Sequence, residues 1–117
     1  MESKYREELS LFLSRTGGDV LGAVMARRDG LPVASAAPGM DPKAISALAA
    51  LALGTLRKVG DELKIGGVRQ VVAYYDSRVI VMWPARELYI IAVANADANI
   101  GLIFLELERL AKRLAEL

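Results

Sequence analysis

The sequence contains no cysteine and no histidine. The first absence excludes a disulfide framework and thiolate chemistry. The second removes the commonest general acid–base and the commonest metal ligand. No Gly-x-Ser-x-Gly elbow occurs, and the short glycine pairs Gly17-Gly18 and Gly66-Gly67 are not followed by Lys-Ser or Lys-Thr. The usual nucleophile–base sets and the phosphate-binding P-loop are therefore missing. Charge of one sign is also lacking: the net charge is +1, with both signs spread along the chain. Nucleic-acid binders usually carry a basic stripe, so no nucleic-acid partner is expected. No apolar run reaches the roughly 20 residues of a membrane span. The longest, Ala44 to Leu56, stops at Arg57 and Lys58, so no membrane insertion is expected. The opening MESKYREELS has no apolar signal segment, and the expected setting is cytoplasmic. No internal repeat, linker or low-complexity segment appears. With 117 residues, the chain is expected to form a single domain, 1–117, with one real core.

What is present centres on Asp41 to Leu63. Asp41 is a good N-cap, because its carboxylate can accept from the free amides of the first turn. Pro42 follows at the first helical position, where its missing N–H costs nothing. Ile45, Leu48, Leu51, Ala52 and Leu56 then make one apolar stripe at helical spacing. Ala44, Ala47, Ala50, Leu53 and Gly54 make the other side nearly as apolar but smaller. A helix apolar all round is buried all round. The leucine face is expected to pack on its own domain, leaving the small-residue face for a second copy of the chain. A hydrophobic content of 54% also favours assembly.

Around this helix the chain alternates its periods. Ser3 to Arg15 reads as a helix, with Tyr5, Leu9, Phe12 and Leu13 on one face, ended by Gly17-Gly18. Asp19 to Arg28 reads as a strand covered on both faces, in which Gly22 marks a bulge or a close backbone approach. Arg28-Asp29-Gly30 is a hairpin turn. Leu31 to Ala36 returns as an edge strand, because Pro32 lacks a ladder donor. Val68 to Tyr75 is a third strand and Arg78 to Trp83 a fourth, with Pro84-Ala85-Arg86 as the turn after it. Glu87 to Ala94 is a fifth, apolar throughout and therefore central. Asp97 is the expected cap of a last helix. Its stripe is Ile100, Ile103, Phe104, Leu107, Leu110, Ala111 and Leu114, and Glu106, Glu108 and Arg109 lie on its wet side. Gly101 is expected to let that helix start close to the sheet. The order is α-β-β-α-β-β-β-α. The fold class is α+β: a three-layer α/β/α sandwich around a five-stranded, mostly antiparallel sheet. The first and last helices go on one side and the middle helix on the other.

Candidate chemistry is sparse. Asp19, Asp29, Asp41, Asp61, Asp76 and Asp97 all sit at expected turns or caps, which accounts for them structurally. Arg27 and Arg28 beside the Asp-Gly turn could face a phosphate or an acidic partner, or could be a solvated hairpin tip. Trp83 and the Tyr74–Tyr75 pair suit packing better than a ligand pocket. No catalytic residue, metal site or cofactor is expected. If the third strand is an edge, its open backbone groups invite pairing. Two copies could then meet across a two-fold axis through Ala47, Ala50, Leu51 and Gly54 of the helix with Val68, Gln70, Val72 and Tyr74 of the strand. A related but different chain could take the same place.

Three stretches carry a family resemblance. They are Gly22 to Ser35 (GAVMARRDGLPVAS), the helix that begins DPKAISALAALAL, and Ala92 to Leu110 (AVANADANIGLIFLELERL). With these the chain resembles the roadblock domain family, the dynein light-chain and MglB-like group, over nearly its whole length. The resemblance implies a roadblock, profilin-like fold in the order already reached. It implies homodimers or heterodimers formed through the second helix and third strand. It also implies a non-enzymatic regulator or scaffold, and many such proteins act on Ras-like small GTPases. Without long extensions, the chain is similar to the minimal prokaryotic type. By analogy a GTPase would dock near the paired second helices, on a polar rim of Lys43, Ser46, Arg57, Lys58 and Asp61, with Arg57 as the one candidate for an inserted arginine. The other readings are a nucleotide-independent scaffold subunit and a small-molecule sensor, which would need a sizeable cavity.

Overall fold

The backbone groups of the two most apolar strands pair with each other, and this pairing sets the architecture. The computed structural model describes residues 2–117, which form three helices and five strands. In chain order these are α1 (Glu2–Arg15), β1 (Val20–Arg27), β2 (Pro32–Ala36), α2 (Pro42–Leu63), β3 (Val71–Tyr74), β4 (Arg78–Ala85), β5 (Leu88–Asn95) and α3 (Ile100–Glu116). The sheet order is β2-β1-β5-β4-β3, and every neighbouring pair is antiparallel. The β1–β2 hairpin and the β3–β4–β5 meander join where Met25 faces Ile90 and Ala23 faces Ala92. Strands with no polar face cannot sit at the rim, so β1 and β5 occupy the interior.

Alternation along these strands feeds two cores. Ala23, Met25, Val79, Val81, Ile90, Ala92 and Ala94 face one way, against Leu9 and Phe12 of α1 and Ile103, Leu107 and Leu110 of α3. Ala26, Tyr89 and Ile91 face the other way, against Ala49 and Leu53 of α2. The three-layer arrangement, with α1 and α3 together and α2 opposite, is the one expected. Trp83 meets Phe104 edge-to-face at 5.4 Å, so it packs between sheet and α3. Gly22 serves both anticipated purposes. The β1–β5 register shifts between Val20 and Gly22, and a side chain there would come within 3.0 Å of the Ala37 Cα.

Several expectations need correction. The third strand begins at Val71 rather than Val68. Val68, Gly67 and Gln70 belong to the irregular connection from α2. Pro84 and Ala85 extend β4 instead of forming the turn, which falls at Arg86 (φ 59°) and Glu87. Pro84 is tolerated because β3 starts at Val71, opposite Met82, leaving the rest of β4 paired on one side only. The cap of α3 is Asn99, not Asp97: its side chain accepts from the Leu102 amide at 3.1 Å. Asp19 reinforces this start by accepting from the Asn99 amide at 2.9 Å. Gly101 is exposed, and a side chain there would meet only the Asn99 Oδ1 at 3.4 Å, so no close approach to the sheet requires it. Glu106 is buried rather than wet, with Arg109 Nη1 2.9 Å away to match its charge.

Two interactions hold the ends of helices in place. Asp41 Oδ1 accepts from the amides of Lys43 at 3.1 Å and Ala44 at 3.3 Å. Arg113 of α3 grips both carboxylate oxygens of Glu8 on α1 at 2.7 Å, which cross-links the two helices on that side of the sheet. The guanidinium hydrogen bond holds the Glu8 carboxyl below the ordinary carboxylate range.

Asp41→Ala is therefore expected to cost about 1 kcal/mol, read as a lower denaturation midpoint at unchanged slope. The Glu8 pair gives a pH signature. A carboxyl with a depressed folded pKa contributes stability that is fully present above its unfolded pKa, roughly 4.3, and is lost as pH falls through the folded value. The stability difference between wild type and Glu8→Gln should thus be largest near neutral pH and shrink below about pH 4. A difference that stays constant down to that range would show that the charge of Glu8 contributes nothing.

Candidate functional site

Helix α2 presents the most unusual surface of the molecule, and its facing differs from the one expected. Leu48, Leu51 and Leu56 of the expected inner stripe are exposed and Leu53 of the expected outer side is buried, while Ile45 packs on the second core and Ala44 and Ala47 are exposed as expected. The residues turned to the sheet are Ser46, Ala49, Leu53 and Gly60, spaced i, i+3, i+7 and i+14. Every leucine of the helix except Leu53 points away: Leu48 is 65% exposed and Leu51 68%, with Leu56 and Leu63 also exposed, as is Val59. The reason is close packing. A side chain at Gly30 in the β1–β2 turn would lie 3.3 Å from the Ala47 Cα and 3.5 Å from the Ala50 Cβ. Only small residues let the helix axis come that near the hairpin. At the far end, Lys64 adopts the left-handed conformation (φ 55°), and its amide reaches back to the carbonyls of Asp61 and Gly60. The chain turns so tightly there that a Cβ at Gly60 would stand 2.5 Å from the Gly66 carbonyl oxygen.

The structure sorts the residues expected at an interface between copies. Ala47 and Leu51 are exposed, Ala47 on the flank whose backbone lies beside Gly30, while Ala50 and Gly54 are half-buried. Ala50 packs against the second core. Val68 also packs there, from the connecting segment, and Gln70 is exposed in the same segment. Val72 leans on the first core from β3, and Tyr74 is 71% exposed. β3 is indeed an edge, paired only with β4. Its second row of backbone groups is open to pairing. Leu48, Val59, Leu63 and Ile65 are exposed apolar side chains that the sequence reading did not place at an interface. The pattern Ser46-x-x-Ala49-x-x-x-Leu53 was the available signal for them, since it marks the opposite, inward face.

The five residues expected on one polar rim do not gather as a set: Arg57, Lys58 and Asp61 are exposed within about one turn near the end of α2, and Lys43 is exposed at its start. Ser46 is fully buried, and its hydroxyl has no hydrogen-bond partner among the described residues. Lys43 lies at the first turn of α2, in a hollow beside Pro32, Val33 and Ser35 of the β2 edge. Lys58 and Asp61 share a hollow with Glu62 and Lys64 at the other end. Arg57 lines a separate cleft beneath the helix with Arg28 and Tyr89. At the hairpin tip Arg27 pairs with Asp29 at 2.6 Å, whereas Arg28 donates through Nε and Nη2 to the Arg86 carbonyl. Among the described residues no three carboxylates gather as a metal site. No helix there is long and apolar enough to cross a membrane. The arrangement offers an apolar helix face and an open strand edge, which are means of binding protein surfaces.

Comparisons with known proteins agree with this architecture. A family model described as mitogen-activated protein kinase kinase 1 interacting matches residues 3–117. The Ragulator complex protein LAMTOR3-B of Xenopus laevis is 31% identical over 117 residues, covering 95% of this chain and 94% of that protein. A solved Roadblock/LC7 domain from Streptomyces avermitilis superposes with a TM-score of 0.87 at 25% identity, over 95% of this chain and 94% of the other. MglB, solved in a tetrameric arrangement, gives a TM-score of 0.87 at 21% identity, over 98% and 88%.

The buried Ser46 hydroxyl carries its own prediction. Removing an unpartnered buried hydroxyl relieves its desolvation cost, and alanine is the better helix former. Ser46→Ala should leave stability unchanged or raise it by up to about 1 kcal/mol in chemical denaturation. A loss of more than about 1 kcal/mol would mean that the hydroxyl is bonded after all.

Proposed function

We propose, from the premise that the chain belongs to the mitogen-activated protein kinase kinase 1 interacting family and has the roadblock fold, that it is a non-enzymatic, self-associating platform. In this reading it binds a Ras-like small GTPase and alters the nucleotide cycle or the location of that GTPase. The observation that carries the reading is the outer face of α2. A row of leucines and a valine, Leu48, Leu51, Val59 and Leu63, stands in solvent, where an unassembled domain gains nothing from them. The open β3 edge supplies a second element for the same contact. Two copies related by a two-fold axis can oppose both features at once, since such a contact is self-complementary. The tetrameric arrangement of MglB, which shares the fold, is in keeping with self-association.

A nucleotide-independent scaffold subunit is the second reading, favoured by LAMTOR3-B, whose name places it in a complex. Under either reading the revised contact surface is Ala47, Leu48, Leu51, Val59 and Leu63 with Val72 and Tyr74. Of the polar candidates, Lys43, Arg57, Lys58 and Asp61 stay available to a GTPase because they are exposed.

One experiment separates these possibilities. Leu51→Arg buries an unpaired charge if two copies meet on this face. The dissociation constant of the assembly should then rise at least about a hundredfold, seen in light scattering as a monomer. Its circular dichroism should match wild type, because Leu51 touches solvent in the single chain. A variant that still assembles overturns the interface. Ras-like GTPases of the source organism, loaded with GDP or a non-hydrolysable GTP analogue, are then offered to both proteins. Binding that prefers one nucleotide state supports the regulator. Equal binding to both states favours the scaffold, and no binding to any of them removes the GTPase assignment.

A further inference from the structure

The cleft beneath α2 brings together cationic groups that the fold does not use up. It measures about 130 Å³ and is lined by Arg28, Leu53, Arg57, Gly67, Val68, Pro84 and Tyr89. Two guanidinium-bearing side chains face it from different elements, the β1–β2 turn and α2, and no carboxylate lines it. Among the described residues neither Arg28 nor Arg57 has a carboxylate oxygen within 4.0 Å. Arg28 is held in place by its bonds to the Arg86 carbonyl and by stacking over the Tyr89 ring, 5.4 Å from its centroid. Those bonds occupy Nε and Nη2 and leave Nη1 to donate elsewhere. Tyr89 is only 3% exposed. Its hydroxyl makes no hydrogen bond to another described side chain or backbone group but is not sealed off, since Ser46 Oγ is the one buried side-chain polar atom without a partner among the described residues; it is free to donate. Gly67 adds a wall without a side chain, with no atom near the place a Cβ would take.

We infer that this cleft is an oxyanion site, built for a phosphate or a phosphoryl group between Arg28 and Arg57, with the Tyr89 hydroxyl as a third donor. Guanidinium groups supply paired, charge-assisted hydrogen bonds to such oxyanions. The size decides the class of ligand. Cofactor and drug-sized ligands occupy pockets of roughly 300–1,000 Å³, so the cleft takes in a single tetrahedral group, and whatever that group is attached to stays outside. The shared chemistry has two sources, free inorganic phosphate and a phosphorylated side chain. The site is independent of the self-association proposed above, because Leu53 and Arg57 lie on a different side of α2 from Leu48 and Leu51.

The test is calorimetric titration of the full chain with inorganic phosphate, and separately with a short phosphoserine peptide and its unphosphorylated twin. Arginine Nε–Hε resonances are followed alongside by NMR. Saturable binding that moves the Arg28 and Arg57 signals is expected, weakened about tenfold in Arg57→Gln. Arg57→Gln is the cleaner variant, since Arg28 also ties the hairpin to the β4–β5 turn. Tyr89→Phe, which keeps the ring, should weaken binding less. Binding of phosphate itself identifies the free anion as a ligand, and binding of the phosphopeptide alone identifies a phosphorylated side chain. If neither binds, if the unphosphorylated peptide binds equally, or if Arg57→Gln binds like wild type, the site is refuted.

Discussion

Everything on one side of this molecule follows from how closely α2 lies against the β1–β2 hairpin. Gly30 carries two constraints at once. Its φ of 93° is a conformation that other residues adopt with strain, and its missing side chain is the space into which the Ala47 backbone and Ala50 fit. A helix that near a sheet can turn only small residues inward along much of its length, so Ser46, Ala49 and Gly60 join Leu53 there. Apart from Leu53 and the half-buried Ile45, the larger apolar residues turn outward. Close packing and exposed leucines are therefore the same fact seen from two sides, and an interior packed to crystal-like density allows no compromise between them.

That trade also explains where sequence reading succeeds and where it fails. The element order, the two-sided cover of β1 and β5, and the division of helices between the faces could all be read, because each rests on a period or a cap. The facing of α2 could not be read from hydrophobicity, because a helix apolar all round has no polar side to mark solvent. Weighing leucines above alanines puts the larger burial inward, which is the usual outcome for an amphipathic helix and the wrong one for a helix held close to a sheet. The cue was geometric, a Ser-x-x-Ala-x-x-x-Leu run opposite a turn glycine. The other departures have local causes. Val68 continues an apolar alternation, yet it precedes the strand because the tight turn after Gly60 must first be completed. Pro84 stays in β4 because its neighbour β3, whose first residue faces Met82, does not reach it. Asn99 displaces Asp97 as cap because the turn through Asp97 sets the chain two residues further on, where Asp19 can also bond it. Glu106 is buried because Arg109, one helical turn away, brings a matching charge.

The candidate site was legible only as a type. A small-residue helix beside an edge strand does point to contacts between chains, and Ala47, Leu51 and Tyr74 are exposed as such contacts require. The polar rim is dispersed because Lys43 lies near the start of the 22-residue helix and Asp61 near its end, about 27 Å apart along the axis at roughly 1.5 Å per residue. Lys43 and Lys58 therefore meet different surroundings, beside β2 and at the C-terminal turn, while Ser46 turns inward. Shared exposure in a sequence window is not shared location, and only the helical phase distinguishes them.

The two unsatisfied features of α2 are thus divided around its circumference. Outward, apolar side chains lack cover. Toward the hairpin, Arg57 and Arg28 face one cleft without carboxylates. An anion held between them would connect the C-terminal half of α2 to the β1–β2 turn, the place where Gly30 already keeps the helix close. Such a ligand stabilises α2 in its present seat. It alters self-association only by as much as its affinity differs between the free and the assembled helix. By reciprocity, assembly would change anion affinity by the same factor. A rigid seat, with Ala47 and Ala50 already against the hairpin, makes that difference small. The cleft and the leucine face then act as independent binding surfaces carried by one helix.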